Sequence, residues 1–335
     1  MSFLSQVVAA GDIPTDELHV KLLVHGRSGS GKSTLGALMP KPFIILLEPN
    51  GLPSIVAANP RAKVLRVYDP EAYGFRGVGA SFRLLRETLI QAAAGNLGDD
   101  VESVVLDSAT EAQRLYKEQL IREMVGENGD VNDYVMTIPN WGTLTERMRR
   151  FARGFRDLPY NTLMITLSNE ERDDAGKIVA VLPSFEGRKI PEEIAQFQSA
   201  VGYAYRRTVK TEGHPDQTVH EVVFQSGAGH TVKPVVPLRA IEVADPSDWI
   251  RRIKAYKPGD APLPPITPPK AATPPAAAKA EGEKKPDVPA AKVEGDKAPE
   301  VGAKAAEKAD AKPPADGGTI TPTRRQRKVE ADPIP

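Results

Sequence analysis

The sequence predicts an α/β protein in which helices flank a mainly parallel sheet, with β-hairpins added towards the end of the folded part. Short continuous apolar runs alternate with helical patterns early in the chain, and such runs are typical of strands buried on both faces. Later segments come in pairs around turns, which indicates antiparallel hairpins. This order of elements favours one parallel sheet with β additions at one edge.

The elements of the first half alternate in type. An apolar run at residues 19–25 ends at a glycine and predicts a strand, and a short helix that Pro40 stops follows a glycine-rich loop. Ser108 and Glu111 form a capping box at the start of another helix. The remaining predictions are strands at residues 42–47, 62–68 and 101–106 and a helix at residues 82–93.

The second half begins with a helix and ends in hairpins. The helix covers residues 140–157 and turns Leu144, Met148, Phe151 and Phe155 inward. The remaining predictions are a strand at residues 160–167, a hairpin turn at residues 173–176 followed by a strand at 177–182, and a second hairpin formed by residues 201–210 and 217–225.

Composition excludes several classes of protein. The chain has 335 residues, with 44 Lys+Arg balanced by 44 Asp+Glu, so nucleic-acid binding would need a local basic patch. Because there is no cysteine, disulfides, zinc–thiolate sites and a cysteine nucleophile are excluded, which fits a reducing cytoplasm. No apolar run is long enough to span a membrane, and residues 1–10 lack the pattern of a secretory signal. We therefore expect a cytoplasmic protein.

Residues 257–335 are predicted to be a disordered tail. This stretch holds 16 of the 31 prolines and no Trp, Tyr or Phe, so it cannot bury enough apolar surface to offset its ordering entropy. A basic cluster near its end (Arg324, Arg325, Arg327, Lys328) either occurs by chance in a solubilising tail, which we favour, or binds a partner or nucleic acid. The predicted division is an N-terminal segment 1–18, a core 19–256 and the tail 257–335.

The loop after the first strand carries the most specific motif. Gly26-x-x-x-x-Gly31-Lys32-Ser33 matches the P-loop pattern, in which backbone N–H groups wrap a phosphate. Lys32 would supply charge to the β- and γ-phosphates, and the Ser33 hydroxyl would ligate Mg²⁺. The flanking strand and helix distinguish it from an ordinary glycine-rich turn. The predicted nucleotide-binding residues are Gly26, Arg27, Ser28, Gly29, Ser30, Gly31, Lys32, Ser33 and Thr34.

Two carboxylates and two hydroxyls follow predicted strands. Asp107 ends an apolar strand, where the second P-loop motif places a Mg²⁺-organising carboxylate; the alternative is that it only begins the next helix. Glu48 closes strand 42–47 and is the predicted catalytic carboxylate, acting with Lys32; the alternative is a surface glutamate in a loop. Thr166 and Ser168 are candidate γ-phosphate sensors, although ordinary strand-end polar residues are the interpretation we favour.

A basic helix and two tyrosines are candidate contacts for nucleic acid. Arg149, Arg153 and Arg156 share one side of the helix at residues 140–157 and would track a single-stranded DNA backbone or supply an arginine finger. A solvated face balanced by nearby acidic residues is the simpler interpretation, which we favour. Tyr203 and Tyr205 would stack on bases, but half-buried packing is more usual for tyrosines on strands.

The order of these motifs resembles the RecA-type core, and more closely the small phage AAA-type nucleotide-binding proteins that include RecA-like single-strand annealing ATPases. The similarity covers roughly residues 20–249. It implies a RecA-like P-loop NTPase fold, with Lys32 and Ser33 binding nucleotide and Mg²⁺, Asp107 as the second-motif carboxylate and Glu48 as the catalytic glutamate. Because RecA-type relatives form rings or filaments with ATP at the subunit interface, the resemblance also implies a homo-oligomer.

Two positions depart from the pattern of that group. Ser168 stands where many relatives have a histidine, which puts the γ-phosphate sensor in doubt. Relatives also tend to carry an Ala-Lys-Asp-Arg-like stretch, whereas residues 228–233 here lack the Asp-Arg pair. Lys233 is the lysine that remains to act across a subunit boundary.

Together these observations predict an ATP-binding, Mg²⁺-dependent ATPase that acts on single-stranded DNA in phage recombination or replication, in the host cytoplasm. One alternative is a nucleotide-gated binding or scaffold protein with negligible hydrolysis, whose tail recruits a replication or recombination protein. Another alternative is a P-loop kinase, but the sequence shows no arginine-rich lid after the core, which argues against it. No Asn-Lys-x-Asp guanine-reading stretch occurs, which favours ATP over GTP.

Overall fold

The structure is a computed structural model that describes residues 7–9, 12–14, 17–126, 134–187, 189–209, 217–225, 229–257, 259–260 and 263–264. All of these lie in one compact unit, and a second unit, Thr273–Asp332, lies outside the described residues, as do the basic cluster of the tail and the turn at residues 212–215. The division at residues 18 and 256 and the disorder of the tail stay predictions. Across the described part, no helix combines the length and the apolar character needed to cross a membrane.

A mainly parallel sheet with antiparallel additions at one edge forms the centre of the fold, as the sequence predicts, and eight of its strands lie in the described residues. Six strands are mutually parallel, and the last two in the chain add to one edge in antiparallel fashion. Across the sheet the order is β10-β9-β8-β1-β5-β4-β2-β3. The strands are β1 Lys21–Gly26, β2 Pro42–Leu46, β3 Lys63–Arg66, β4 Ser103–Asp107, β5 Asn161–Thr166, β8 Ala200–Val209, β9 Gln217–Val223 and β10 Ile241–Val243.

Both predicted hairpins are present. Strands β6 Ser168–Arg172 and β7 Ile178–Pro183 pair with each other in a separate two-stranded sheet. Strands β8 and β9 form the second hairpin, which belongs to the main sheet. Tyr203 of β8 lies level with His25 of β1, so the later residues of β8 extend beyond the edge where β1 ends.

Seven α-helices are described, and three of them are not in the sequence prediction. The three are short and carry a proline in the first turn, so they offer too few residues for a helical period to show. The helices are α1 Lys32–Ala37, α2 Leu52–Ala58, α3 Ala80–Ala93, α4 Ala109–Val125, α5 Ile138–Arg156, α6 Ile190–Phe197 and α7 Pro246–Ala255, of which α2, α6 and α7 are the unpredicted ones.

The core lies on both faces of the sheet, because neighbouring residues of a strand point to opposite sides. In β4, Val104 packs with the cluster under α3, α4 and α5, whereas Val105 packs with the cluster under α1, α2 and α7. Trp249 of α7 is fully buried in the second cluster. The four inward residues predicted for α5 are at most 1% exposed: Leu144, Met148, Phe151 and Phe155.

The parallel register brings the ends of distant strands to one edge of the sheet. Leu46 of β2 lies opposite Asp107 of β4, and β5 separates β4 from β1. Gly26 ends β1 at the same edge. Residues that directly follow β1, β2 and β4 therefore lie close together, which is the usual position of ligand sites in parallel sheets.

Candidate functional site

The loop between β1 and α1 has the backbone that its glycines predict. Gly29 and Gly31 take φ values of 76° and 93°, which side chains disfavour. Gly26 has a different constraint, because a Cβ there would lie 2.5 Å from the carbonyl oxygen of Ala204 on β8. The loop therefore needs glycine twice for conformation and once for close packing against the neighbouring strand.

The side chain of Lys32 folds back across this loop. Its Nζ donates hydrogen bonds to the carbonyl oxygens of Gly26 and Arg27, both at 2.8 Å, and lies 3.4 Å from the Ser30 hydroxyl. Only 9% of Lys32 is exposed. Burial lowers the pKa of Lys32 to about 8, against the opposing effect of Asp107 and Glu48. The loop thus holds an ammonium group that is partly desolvated and close to two carboxylates.

Asp107 ends β4 in a buried position beside the loop. Burial raises its pKa, while the nearby Ser33 hydroxyl and the charge of Lys32 act in the opposite direction. Its Oδ2 is buried and has no hydrogen-bond partner among the described residues. A Cβ added to Gly51 would lie 3.2 Å from both this oxygen and the Ser33 Oγ. Two oxygen ligands therefore face one small space, which suits a hard divalent cation such as Mg²⁺.

Glu48 follows β2 and is held by a residue that follows β4. The Ser108 hydroxyl donates a hydrogen bond to Glu48 Oε1 at 3.0 Å. The same hydroxyl accepts one from the backbone N–H of Glu111 at 3.4 Å, as the predicted cap of α4 requires. The sequence analysis assigned Ser108 to the cap alone. Its position directly after a strand-ending aspartate is the signal that would have placed it in the site.

These groups line one cleft of about 320 Å³. It is formed by the glycine-rich loop, the start of α1, the turn after β2 and the end of β4. Its walls are Ser28, Gly29, Gly31, Lys32, Ser33, Thr34, Leu46, Glu48, Asn50, Gly51, Ser54, Asp107, Ser108 and Leu167.

The two candidate sensor hydroxyls do not line this cleft, as expected for the ordinary strand-end polar residues that the sequence analysis favoured. Thr166 is fully buried, and its Oγ1 donates to the carbonyl oxygen of Leu167, the residue that reaches the cleft instead. The Ser168 hydroxyl lies 2.9 Å from His25 Nδ1. Because His25 Nε2 donates to the Thr231 carbonyl and burial lowers the pKa of His25 to about 4, the ring is neutral and Nδ1 accepts from Ser168.

The three candidate arginines of α5 contact other side chains of the protein, as expected for the balanced face that the sequence analysis favoured over a DNA contact. Two nitrogens of Arg149 donate to Glu193 of α6 at 2.7 and 2.8 Å. Arg153 stacks over the ring of Phe197 at 4.8 Å. The third, Arg156, pairs with Asp157 at 2.7 Å. Arg149 and Arg153 therefore connect α5 with α6.

The remaining candidates also pack within the protein. The centroid of the Tyr203 ring lies 4.2 Å from that of the His230 ring and 5.3 Å from that of the His25 ring, which agrees with half-buried packing. Lys233 donates to the carbonyl oxygen of Gln198 at 2.6 Å, just after the end of α6. The sequence analysis missed His220 of β9, whose Nδ1 lies 3.0 Å from the carbonyl oxygen of Ser30 in the glycine-rich loop.

Comparison with known proteins gives a family and a distant structural likeness. A sequence profile described as "AAA domain" matches residues 18–232, which is more than half of the chain. No curated protein sequence matches the chain. A solved structure titled "Structural and biochemical analysis of a prototypical ATPase from the type III secretion system of pathogenic bacteria" is 13% identical, with a TM-score of 0.36. That match covers 56% of this chain and 53% of the other, about half of each.

Proposed function

The chain belongs to the AAA domain family and has the P-loop of nucleotide-binding proteins, and from this we propose that it hydrolyses Mg·ATP in the cleft beside Lys32. The reaction is attack of a water molecule on the γ-phosphorus, which breaks the bond to the β–γ bridging oxygen and releases ADP and phosphate. The proposal assigns phosphate binding to the loop and to Lys32, and activation of the water to Glu48.

One observation carries the proposal: Lys32, Asp107 and Glu48 converge in a single cleft although they lie at the end of, or after, three different strands. A structural ion-pair network would satisfy all of its members within the protein. Here Asp107 Oδ2 has no partner in the described part of the chain, and Glu48 has one oxygen bound by Ser108. Groups left with free acceptor capacity in a cleft are typical of a site that binds a ligand.

Ser33 and Asp107 would hold Mg²⁺, because their oxygens face the same space. When bound with nucleotide, the ion neutralises phosphate charge and stabilises the negative charge that develops on the oxygens. Asp107 would bind the Mg²⁺ ion either directly or through a coordinated water molecule. Both arrangements need an ionised carboxylate, although burial raises the pKa of Asp107. The positive charge of Lys32 favours that ionised form.

The remaining roles are phosphate binding by the loop and Lys32 and activation of the water molecule by Glu48. The loop N–H groups and Lys32 bind the phosphate oxygens and orient the γ-phosphate towards Glu48. Glu48 accepts a hydrogen bond from the attacking water and takes its proton, while the Ser108 hydroxyl holds Oε1 in place. General-base assistance of this kind contributes about 10²- to 10⁴-fold in rate.

The test is steady-state phosphate release from Mg·ATP. The wild type would be compared with Lys32→Ala, Glu48→Gln and the control Glu87→Gln, which changes an exposed glutamate of α3. We expect Lys32→Ala to lose nucleotide binding and Glu48→Gln to bind nucleotide but turn over at least 10²-fold more slowly. Glu87→Gln should match the wild type. Turnover that survives in Glu48→Gln would remove Glu48 from the mechanism.

The same assay distinguishes the ATPase from the two alternative classes, a nucleotide-gated binding protein and a kinase. If Mg·ATP binds and phosphate release stays at background, the chain is a nucleotide-gated binding protein, and the ATPase proposal fails. Turnover that requires a small phosphate acceptor would instead indicate a kinase. Repeating the assay with GTP tests the expected preference for ATP.

We further propose action on single-stranded DNA in phage recombination or replication, as a homo-oligomer, from the family resemblance described above. The contacts of Arg149, Arg153 and Arg156 do not support that face as the DNA site. The discriminating measurement is phosphate release with and without single-stranded DNA, beside duplex DNA and RNA of equal length. No stimulation by single strands would reject this part of the proposal and leave the ATPase part standing.

A further inference from the structure

The residue that supports the glycine-rich loop from outside is His220, which lies on β9, 190 residues away in sequence. Its Nδ1 is 3.0 Å from the carbonyl oxygen of Ser30. A carbonyl oxygen only accepts hydrogen bonds, so Nδ1 carries the proton and donates it. The glycine-rich loop therefore receives a side-chain hydrogen bond from the β8–β9 hairpin.

The same ring explains why position 31 is a glycine. A Cβ added to Gly31 would lie 2.4 Å from Nδ1 and 2.9 Å from Cγ of His220. The φ value of 93° at Gly31 independently disfavours a side chain. The imidazole thus occupies the space that a side chain of the loop would otherwise fill, and it packs directly on the loop backbone.

The hydrogen bond sets the direction of a neighbouring donor. In a trans peptide the carbonyl of one residue and the N–H of the next point in opposite directions within one plane. Because His220 binds the Ser30 carbonyl on one side of the loop, it directs the Gly31 N–H to the other side. That N–H has no acceptor among the described residues. It is one of the backbone donors that a P-loop aims at a phosphate.

The strand that carries His220 is itself fixed. His220 pairs across the hairpin with Arg206, and the next residue, Glu221, is only 7% exposed. Glu221 accepts hydrogen bonds from Tyr205 and from Arg207, the latter at 2.7 Å to Oε1. Since Glu221 and His220 point to opposite faces of β9, this ion-paired cluster anchors the strand without competing for the imidazole.

We propose that His220 is a positioning residue for nucleotide binding: its Nδ1–H holds the Ser30–Gly31 peptide with the Gly31 N–H turned towards the phosphates. This inference rests on the proposed function only in that the loop must bind nucleotide. It adds a determinant of affinity that lies outside the P-loop motif, on an element of the antiparallel edge of the sheet.

The test measures the dissociation constant of a fluorescent ADP analogue with Mg²⁺, so it requires no hydrolysis. The variants are His220→Ala, His220→Phe and His220→Asn, beside the control His19→Ala, which changes an exposed histidine just before the start of β1, whereas the loop follows the end of that strand. Phe retains the ring without the donor. Asn places an amide N–H where His has Nδ1–H, since both nitrogens are bonded to Cγ.

We expect His220→Ala and His220→Phe to bind about five- to tenfold more weakly, as the loss of one hydrogen bond implies. His220→Asn should recover to within about twofold of the wild type, and His19→Ala should not differ from it. Equal affinity in the wild type and His220→Phe, or equal weakness in His220→Asn and His220→Phe, would overturn the inference. If His220→Ala fails to fold, the comparison of His220→Asn with His220→Phe still tests the inference. A wild type that binds no nucleotide would reject the proposed function itself.

Discussion

The Ser108 hydroxyl donates a hydrogen bond to the Glu48 carboxylate at 3.0 Å, joining residues that follow two adjacent parallel strands. Ser108 also caps α4, so the start of that helix and the proposed general base share one hydroxyl. A glutamate oxygen held in this way leaves the other oxygen of the carboxylate to meet water. The contact makes Ser108 a positioning residue for Glu48.

Replacement of Ser108 by alanine should therefore lower kcat by about tenfold while changing KM little, because the base loses its orientation but the phosphate loop is untouched. Loss of the cap should also destabilise the fold by about 1 kcal/mol. Ser108→Thr, which keeps the hydroxyl, should restore kcat, and Ser247→Ala on α7 serves as a hydroxyl-deletion control. A Ser108→Ala enzyme with wild-type kcat would show that Glu48 needs no such support.

Nucleotide affinity should fall as the pH rises from 7 to 9. The pKa of Lys32 is lowered to about 8, and only the protonated amine attracts phosphate. Bound phosphate raises that pKa, so binding takes up a proton above pH 8 and affinity drops about tenfold between pH 7 and pH 9. Lys32→Arg, which stays charged over this range, should give a much flatter profile when ADP binding is titrated at each pH.

Asp107→Asn should stabilise the nucleotide-free protein and abolish its response to Mg²⁺. Burial raises the pKa of Asp107, so at neutral pH its charge disfavours the folded state, and an amide removes that cost. We expect the melting temperature without ligand to rise. Wild-type protein should gain stability from Mg·ADP and lose that gain with EDTA, whereas the variant should show little difference. A Mg²⁺ response in Asp107→Asn equal to that of the wild type would contradict the metal assignment.

Gly51→Ala should weaken Mg²⁺-dependent nucleotide binding without unfolding the protein. Its φ of −75° accepts an alanine, but the added methyl would lie 3.2 Å from both Ser33 Oγ and Asp107 Oδ2. We expect at least tenfold weaker binding of Mg·ATP in a calorimetric titration. The matched control is Gly142→Ala in α5, where an added Cβ would meet no atom within 4 Å. This substitution should stabilise the helix by about 0.5–1 kcal/mol. Unchanged affinity in Gly51→Ala would show that the cation lies elsewhere.

Much of the fold can be predicted from the sequence because the relevant signals are local. The apolar runs of β1, β2, β4 and β5 identify buried strands, and the strands alternate with helical periods. Helices α2, α6 and α7 escape this reasoning because ten residues or fewer, beginning with a proline turn, do not establish a period. The contacts that the basic side of α5 makes with α6 could not be predicted for a related reason: a helical wheel shows which residues share a face and not what packs against it.

The sequence by itself identified the P-loop motif of this protein, because Gly26, Gly31, Lys32 and Ser33 belong to one short segment in which the backbone sets their spacing. Only the tertiary structure decided which side chains meet that loop. Strand order and register bring Asp107 and the Ser108–Glu48 pair to its edge, and the return of β9 brings His220 against its outer side. Contacts between residues so far apart in the chain depend on how the strands are arranged across the sheet, and no local pattern encodes that arrangement.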